Sequence, residues 1–460
     1  MRADFEDAIS RASSYVREYL QSVHEQRVFP GAEELRLLEE FDEPMPHSPT
    51  DVRSVLEQLH RLGSPNTVAS MGGRYFGFVT GGALPAALGA KLLGTAWDQN
   101  NGARAGSPVA ARLEELALRW LIELFGLPEG STGAFVTGAS MANFSALAAA
   151  RHALLRRQGW SAEEDGLFGA PEVKVVVCEE SHSTVFKALQ MVGFGRNRVH
   201  KVPTDPQGRM RVELLPELDG HTLVCLQAGN VNSGAFDDIA AVCARANGAW
   251  IHVDGAFGMW AAASPEYAHL VRGLEQADSW ATDGHKWLNT PYDCGIVFVK
   301  DARALRSAFA LSNAPYLQMQ ATAEREPLEY TPEASRRARG IEVWAALKQL
   351  GRGGVRDLIE RCCANARQFA VGFRMAGLEV PHEVFINQVM VGFGDEETTR
   401  RVIKAVQEDG TLWAGGTVWK GRTFMRLSCS SWRTTSVDVE RSLGAILRAA
   451  ERAGAIGGNR

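Results

Sequence analysis

Residues 250–300 read WIHVDGAFGMWAAASPEYAHLVRGLEQADSWATDGHKWLNTPYDCGIVFVK. An apolar run closes on an aspartate, Ile251-His252-Val253-Asp254, and small residues follow, Gly255-Ala256-Phe257-Gly258. A second strand-like run over 278–282 leads into Asp283-Gly284-His285-Lys286-Trp287. The pattern puts an acid at the end of one buried strand and a lysine just past another, where both can face one ligand. Taken singly, Asp254 reads as a cap and Lys286 as a surface charge. Together, each after an apolar strand and with His285 beside the lysine, they read as a site.

The chemistry of that pair is specific. A strand-end carboxylate can hold a protonated ring nitrogen, and a lysine in a tight turn can form a Schiff base if its surroundings lower its pKa. Both demands meet in a site for pyridoxal 5'-phosphate, an aldehyde carried on a pyridine ring.

Outward from this stretch, strand-like runs recur at 134–137, 173–178, 222–227, 250–254, 278–282 and 294–299. Helical periodicity lies between most of them, over 141–157, 184–192, 239–247 and 267–275. Such alternation predicts an α/β domain with a mostly parallel central sheet flanked by helices. Ligands in these sheets bind beyond the carboxyl ends of the strands. The turn Thr137-Gly138-Ala139-Ser140-Met141-Ala142-Asn143 joins a strand to a helix there, and its small residues let backbone N–H groups approach a phosphate. His182, at another strand end, can stack on a flat ring or simply start a helix. The loop from Gln227 to Asp237, with Asn230 in it, suits hydrogen bonding to a small molecule and equally looks like any strand-to-helix loop.

Before the sheet, residues 3–25 and 51–62 show helical spacing, separated by the proline-rich FDEPMPHSPT. These helices carry too little core to stand alone and are expected to pack on another domain or another subunit. Residues 72–107 are rich in glycine and aromatics, and Tyr75, Phe76, Phe78 and Trp97 read as pocket lining or as core and interface. Ser107-Pro108 opens a strong helix. After the sheet, the polar segment 312–337, with three prolines, is a candidate lid or a plain connection. Helices are expected over 341–350 and 355–376. The rest reads as strands 389–393 and 423–428 with helices 396–409 and 436–453, a small α+β C-terminal domain. The boundaries drawn are 1–80 for the helical N-terminal segment, 81–345 for the large domain and 346–460 for the small one.

With 460 residues, 45% hydrophobic and 22% charged, the chain has the composition of an ordinary globular protein. A net charge of −5 without basic clusters argues against nucleic acid as a partner. No apolar run is long enough to span a bilayer, and the first thirty residues lack a signal-peptide core. The seven cysteines are scattered without a CxxC pair, reading as buried thiols of a reducing cytoplasm; no metal site is expected.

Taken in order, HVDGAFGMWAAASP, ATDGHKWLNTPYDCG, SPVAARLEELALRWLIELFGLP, TGASMANFSALAAAR, RGIEVWAALKQLG and FMRLSCSSWRTTSVDVERSL resemble the group II pyridoxal phosphate-dependent amino acid decarboxylases, which include aromatic amino acid, histidine, glutamate and tyrosine decarboxylases. The resemblance implies the type I fold of pyridoxal phosphate enzymes, a homodimer with its site at the interface, and an L-amino acid as substrate. Lys286 would carry the cofactor, Asp254 would pair with its ring nitrogen, and Ala256 and His182 would flank the ring. Gly138, Ala139 and Ser140 would bind the phosphate, and His285 would lie near the phosphate or the substrate. Three positions depart from the family's pattern. Asn230 stands where many relatives have threonine, and Asp283 where aromatic decarboxylases have an asparagine near the phosphate. The loop whose tyrosine protonates the Cα carbanion is shorter, with Tyr330 as nearest match; relatives lacking that tyrosine can divert to oxidative deamination and release aldehyde. The expected reaction is therefore decarboxylation to an amine and CO2, with aldehyde synthesis, C–C lysis or transamination on the same scaffold as the alternative.

Overall fold

The computed structural model describes residues 2–310 and 324–457. Helices α1 (Arg2–Ser22) and α2 (Val52–Gly63) open the chain. Asp51 caps α2 by accepting from Arg53 N–H at 2.9 Å, a contact worth about 1 kcal/mol. The two helices pair through a stacked Tyr15–His60 contact and an Arg53–Asp7 ion pair at 2.9 Å. Phe5, Ile9, Val55 and Leu59 remain exposed on them.

Helices α3 (Pro85–Trp97) and α4 (Pro108–Phe125) precede the sheet, and Ser107 caps α4 by accepting from Ala110 N–H. The sheet has seven strands: β1 (Thr132–Val136), β2 (Lys174–Cys178), β3 (Val199–Val202), β4 (Thr222–Gln227), β5 (Trp250–Asp254), β6 (Ser279–Asp283) and β7 (Gly295–Val299). Their order is β1-β7-β6-β5-β4-β2-β3. All pairings are parallel except those of β7, which runs antiparallel to both β1 and β6. The expected mostly parallel sheet is thus present. β3 was not anticipated, because this edge strand is only four residues long and exposes two of them.

One face of the sheet is covered by α5 (Ala139–Arg157), α6 (Ser183–Met191) and α8 (Ala302–Phe309), with a short α7 (Ile239–Cys243) after β4. Ala142, Ala146, Ala149 and Ala150 of α5 pack on Val136, Val177, Cys225 and Trp250 in one core cluster. Small side chains let this helix lie close on the sheet. On other packed surfaces, Phe125 of α4 meets Trp260 and Phe298 edge to face. The helix expected over 267–275 is instead two 3-10 turns, Ala268–Val271 and Leu274–Gln276. Gly273 between them sits at φ +88 and its place against Ala240 leaves no room for a Cβ, so the periodicity is broken there.

The two helices expected after residue 340 are one element, α9 (Gly340–Met375), kinked at Gly351 with φ 60. The chain ends with β8 (Gln388–Val391), α10 (Glu396–Asp409), β9 (Gly415–Trp419), β10 (Arg422–Ser428) and α11 (Ser436–Arg452). Strand β10 lies between β8 and β9. Thr435 and Asp438 form a reciprocal capping box at α11. By compactness, residues Met1–Gly82, Ala364–Pro381 and Val389–Arg460 form one unit, and Ala83–Cys363 with His382–Gln388 form the other. In the first, Phe76 is core, edge-on to Phe369, while Tyr75 and the exposed Phe78 stack on Trp413. All seven cysteines are free thiols, six of them buried.

Candidate active site

Side chains alternate across a strand, so Trp250, His252 and Asp254 of β5 share the face that α5 covers. Asp254, 4% exposed, ends the strand. Its Oδ2 accepts from Asn143 Nδ2 at 3.1 Å and its Oδ1 from Ala256 N–H at 3.1 Å. Burial pushes its carboxyl up, and the charges of His182 and then Lys286 pull it back. These three residues, far apart in sequence, therefore share one electrostatic environment.

Behind Asp254 lies a directed chain of hydrogen bonds. Trp250 Nε1–H donates to Ser279 Oγ at 2.9 Å, which leaves the hydroxyl hydrogen for His252 Nδ1 at 3.0 Å. The imidazole hydrogen then resides on Nε2, 2.9 Å from Asn143 Oδ1. Asn143 is thereby held with its amide N–H toward Asp254, a donor that favours the ionised carboxylate. Burial drives the His252 pKa down to about 3, so the ring is neutral. Neither His252 nor Asn143 stood out as a functional residue in the sequence. The available signal was the two-residue spacing of His252 and Asp254, which puts both on one face of β5.

Lys286 lies in the turn after β6, and Gly284 lets that turn close. A Cβ at Gly284 would stand 2.9 Å from Cys294 Sγ and 3.0 Å from Thr290 Oγ1. Lys286 Nζ meets Asp283 Oδ2 at 2.9 Å. The carboxylate of Asp283, 2% exposed, also takes the N–H of Ala139 on Oδ1 at 2.6 Å. His285 Nδ1 accepts from Cys294 N–H at 3.0 Å, so a neutral ring has its hydrogen on Nε2, 3.7 Å from Asp283 Oδ1. Burial, ahead of all other causes, lowers the His285 pKa. Its ring lies 4.4 Å from that of the exposed Tyr292.

Gly138 and Ala139 form the turn from β1 into α5. Gly295, the first residue of β7, lies so close to it that a Cβ would fall 2.3 Å from the Gly138 carbonyl carbon. The glycine thus brings the start of a 19-residue helix up against the carboxyl end of β6. Ser140 is half-buried in that first turn, as is the Ala256 methyl beyond β5. His182 caps α6: its Nδ1 accepts from Thr184 N–H at 3.3 Å, and its own N–H donates to Gln227 Oε1 at 3.2 Å.

Two candidates are held elsewhere. Asn230 turns its oxygen onto its own loop, accepting from Asn232 N–H at 2.8 Å and Ser233 N–H at 3.2 Å. Tyr330, in the 3-10 turn Pro327–Tyr330, lies under the Arg325 guanidinium at 4.2 Å and packs on the α5/α8 core. Among the described residues, none of its contacts reaches Asp254, Asp283 or Lys286. Of the candidate lid, residues 312–323 lie outside the described residues.

The residues present fit pyridoxal phosphate. Asp254 is a buried carboxylate with amide donors but, among the described residues, no paired arginine or lysine side chain, and a protonated ring nitrogen would supply that cation. Lys286 would meet the aldehyde, and N–H groups at the start of α5 would meet the phosphate. No group of three or more potential ligands for a metal ion occurs among the described residues.

Comparisons with known proteins agree with this geometry. The pyridoxal-dependent decarboxylase conserved domain matches residues 34–391. Tryptophan decarboxylase 1 of Oryza sativa is 27% identical, the match covering 93% of this chain and 90% of the relative. A phenylacetaldehyde synthase of Arabidopsis thaliana is 28% identical, over 79% of this chain and 76% of the relative. In fold, the chain resembles the crystal structure of Oryza sativa TDC with PLP and tryptamine at a TM-score of 0.89, with 24% identity and 98% of each chain covered.

Proposed function

The chain belongs to the pyridoxal-dependent decarboxylase family, whose pyridoxal phosphate-dependent decarboxylation of an amino acid is its activity, and on that premise we propose that Lys286 and Asp254 carry the reaction. The observation that supports this most is the buried carboxylate of Asp254, held by Asn143 and the Ala256 N–H with no paired arginine or lysine side chain among the described residues. Bound there, the cofactor supplies an electron sink for the pair left behind when the Cα–carboxylate bond breaks.

The chain's own groups do the rest. Lys286 Nζ holds the cofactor through its aldehyde carbon. Asp254, aimed by Asn143, would keep a proton on the ring nitrogen. Ala256 and His182 would flank the ring and keep water away. Gly138, Ala139 and Ser140 would hold the phosphate. Nδ1 of His182 faces the N–H and hydroxyl of Thr184, so the hydrogen on Nε2 is the one left for the site. We assign that hydrogen to the Cα that loses CO2.

We further propose an aromatic L-amino acid as substrate. The tryptophan decarboxylase relative supports this, and so does the exposed Tyr292 ring beside His285. A homodimer is proposed from the exposed Phe5, Ile9, Val55 and Leu59 on α1 and α2, an apolar surface suited to a second copy. A reducing cytoplasmic location is proposed from the seven free thiols. No helix among the described residues is long and apolar enough to cross a membrane. The division into 1–80, 81–345 and 346–460 stands as a proposal about folding units.

One observation favours a second outcome at the same site. Tyr330 is engaged with Arg325, and a phenylacetaldehyde synthase is among the relatives. In that case the substrate, O2 and one water would give aldehyde, CO2, ammonia and hydrogen peroxide. Incubating the cofactor-loaded enzyme with a panel of L-amino acids decides the matter. Amine and CO2 in equal amounts are expected. Peroxide with ammonia would favour the aldehyde reaction, and no CO2 from any amino acid would overturn both.

A further inference from the structure

The start of α5 is where a phosphate is expected, yet its first N–H is already taken by a carboxylate. Asp283 Oδ1 lies 2.6 Å from Ala139 N, and Oδ2 lies 2.9 Å from Lys286 Nζ. The residue has little freedom to leave. Its N–H donates to Ala256 O at 3.0 Å, and its carbonyl accepts from Trp260 Nε1 at 3.2 Å. The side chain is almost wholly buried. His285, the other titratable ring within reach, is kept neutral by burial and offers no second cation.

Resting on the cofactor assignment above, we propose that Asp283 is a positioning residue that occupies the phosphate end of the cofactor site in the cofactor-free enzyme. It satisfies the helix start and holds Lys286 in place, so that cofactor uptake is an exchange. The incoming phosphate displaces the Asp283 carboxylate from Ala139 N–H. The incoming aldehyde takes Lys286 Nζ away from it. After both exchanges the carboxylate stays beside the phosphate with like charge and without its ammonium partner. Cofactor retention is therefore weakened through the phosphate end, and this enzyme should release and reload its cofactor readily. Loss of the Lys286 pair is common to pyridoxal phosphate and pyridoxal, whereas the exchange at Ala139 N–H and the like charge need the phosphate, so the ratio of the two affinities isolates the phosphate end.

The test is the ratio of affinities for pyridoxal phosphate and pyridoxal, measured by equilibrium dialysis on the cofactor-free full chain. Borohydride trapping at Lys286 is followed in parallel. Asp283→Asn keeps an oxygen for Ala139 N–H while removing the charge, and Asp283→Ala removes both. Each is expected to raise the ratio by about tenfold or more. An unchanged or lower ratio in variants that still label at Lys286 would overturn the role of Asp283 alone. Absence of any trapped adduct in all three proteins would instead overturn the cofactor assignment. If neither variant folds, the wild type decides: a ratio below about a hundredfold supports the inference and a larger one overturns it.

Discussion

Glu114 and Asp254 are both buried acids of the sheet domain, and their surroundings differ. Glu114, on α4 and fully buried, meets Arg336 Nη2 at 2.6 Å, Arg325 Nη1 at 3.2 Å and Asn101 Nδ2 at 2.7 Å. Arg336 in turn donates to Phe135 O at 2.7 Å and Asn101 O at 2.9 Å. That network ties the segment after residue 324 to α4 and β1, and every charge in it has a fixed opposite charge. Asp254 has an asparagine amide and one backbone N–H, and burial pushes its carboxyl up. The difference teaches which buried charge serves the fold and which is left for a ligand. A paired ion is costly to break. A carboxylate that lacks its cation inside a cleft marks a place for chemistry.

The largest effect expected is on Lys286. Lys286→Ala should lower decarboxylation by about four orders of magnitude or more and leave no borohydride-fixed adduct. An adduct on another lysine would remove the assignment. The comparison itself is tested by a pair of substitutions. Asp254→Ala should cut kcat/KM by about a thousandfold with a small change in Tm, because its oxygens hold little of the fold. Glu114→Ala should cost about 3–5 kcal/mol of stability, leaving the buried Arg336 and the half-buried Arg325 short of their anion, while the folded fraction keeps its specific activity. Reversal of these outcomes, with Asp254→Ala unfolding and Glu114→Ala inactive but stable, would break the distinction.

A smaller effect belongs to His252. Its folded pKa is depressed to about 3, below the ordinary value near 6.5. The neutral ring stabilises the fold fully above the unfolded pKa. That contribution is lost as pH falls from about 6.5 toward 3, by up to about 1.4 kcal/mol per pH unit, because the unfolded chain takes up the proton first. Urea unfolding of wild type and His252→Gln at several pH values should show the stability gap narrowing on acidification. A constant gap would mean that the ring is not buried in its neutral form. The smallest effect is expected at Tyr330: Tyr330→Phe keeps the ring under Arg325 and should change kcat by less than about threefold. A loss of about a hundredfold would return that hydroxyl to the proton transfer step.

Much of this was legible in the sequence because it rests on local rules. The apolar runs ending in Asp254 and leading into Asp283 locate two adjacent strands, and the small-residue turn at Gly138 locates the start of α5. Other elements escaped for equally physical reasons. Strand β9 is mostly exposed and carries glycines at its start, so it shows no apolar run, and α3 lies in a glycine-rich stretch. The 267–275 stretch has helical spacing, yet Gly273 against Ala240 makes it turn. Asn230 reads as a ligand-binding side chain in the sequence, and the structure adds that its oxygen accepts the N–H groups of Asn232 and Ser233, as a short polar side chain in a tight loop does.

The sequence by itself determined the cofactor chemistry and the order of the strands along the chain, because an acid, a lysine and a strand-to-helix turn are each written in a few adjacent residues. Only the tertiary structure decided what faces what. It joined Trp250, Ser279, His252 and Asn143 into one directed chain behind Asp254, and it set Asp283 between Ala139 and Lys286. It also held Tyr330 under Arg325. Hydrogen bonds and charges act over a few ångströms in space, and residues more than a hundred positions apart come within that reach only when the sheet has formed.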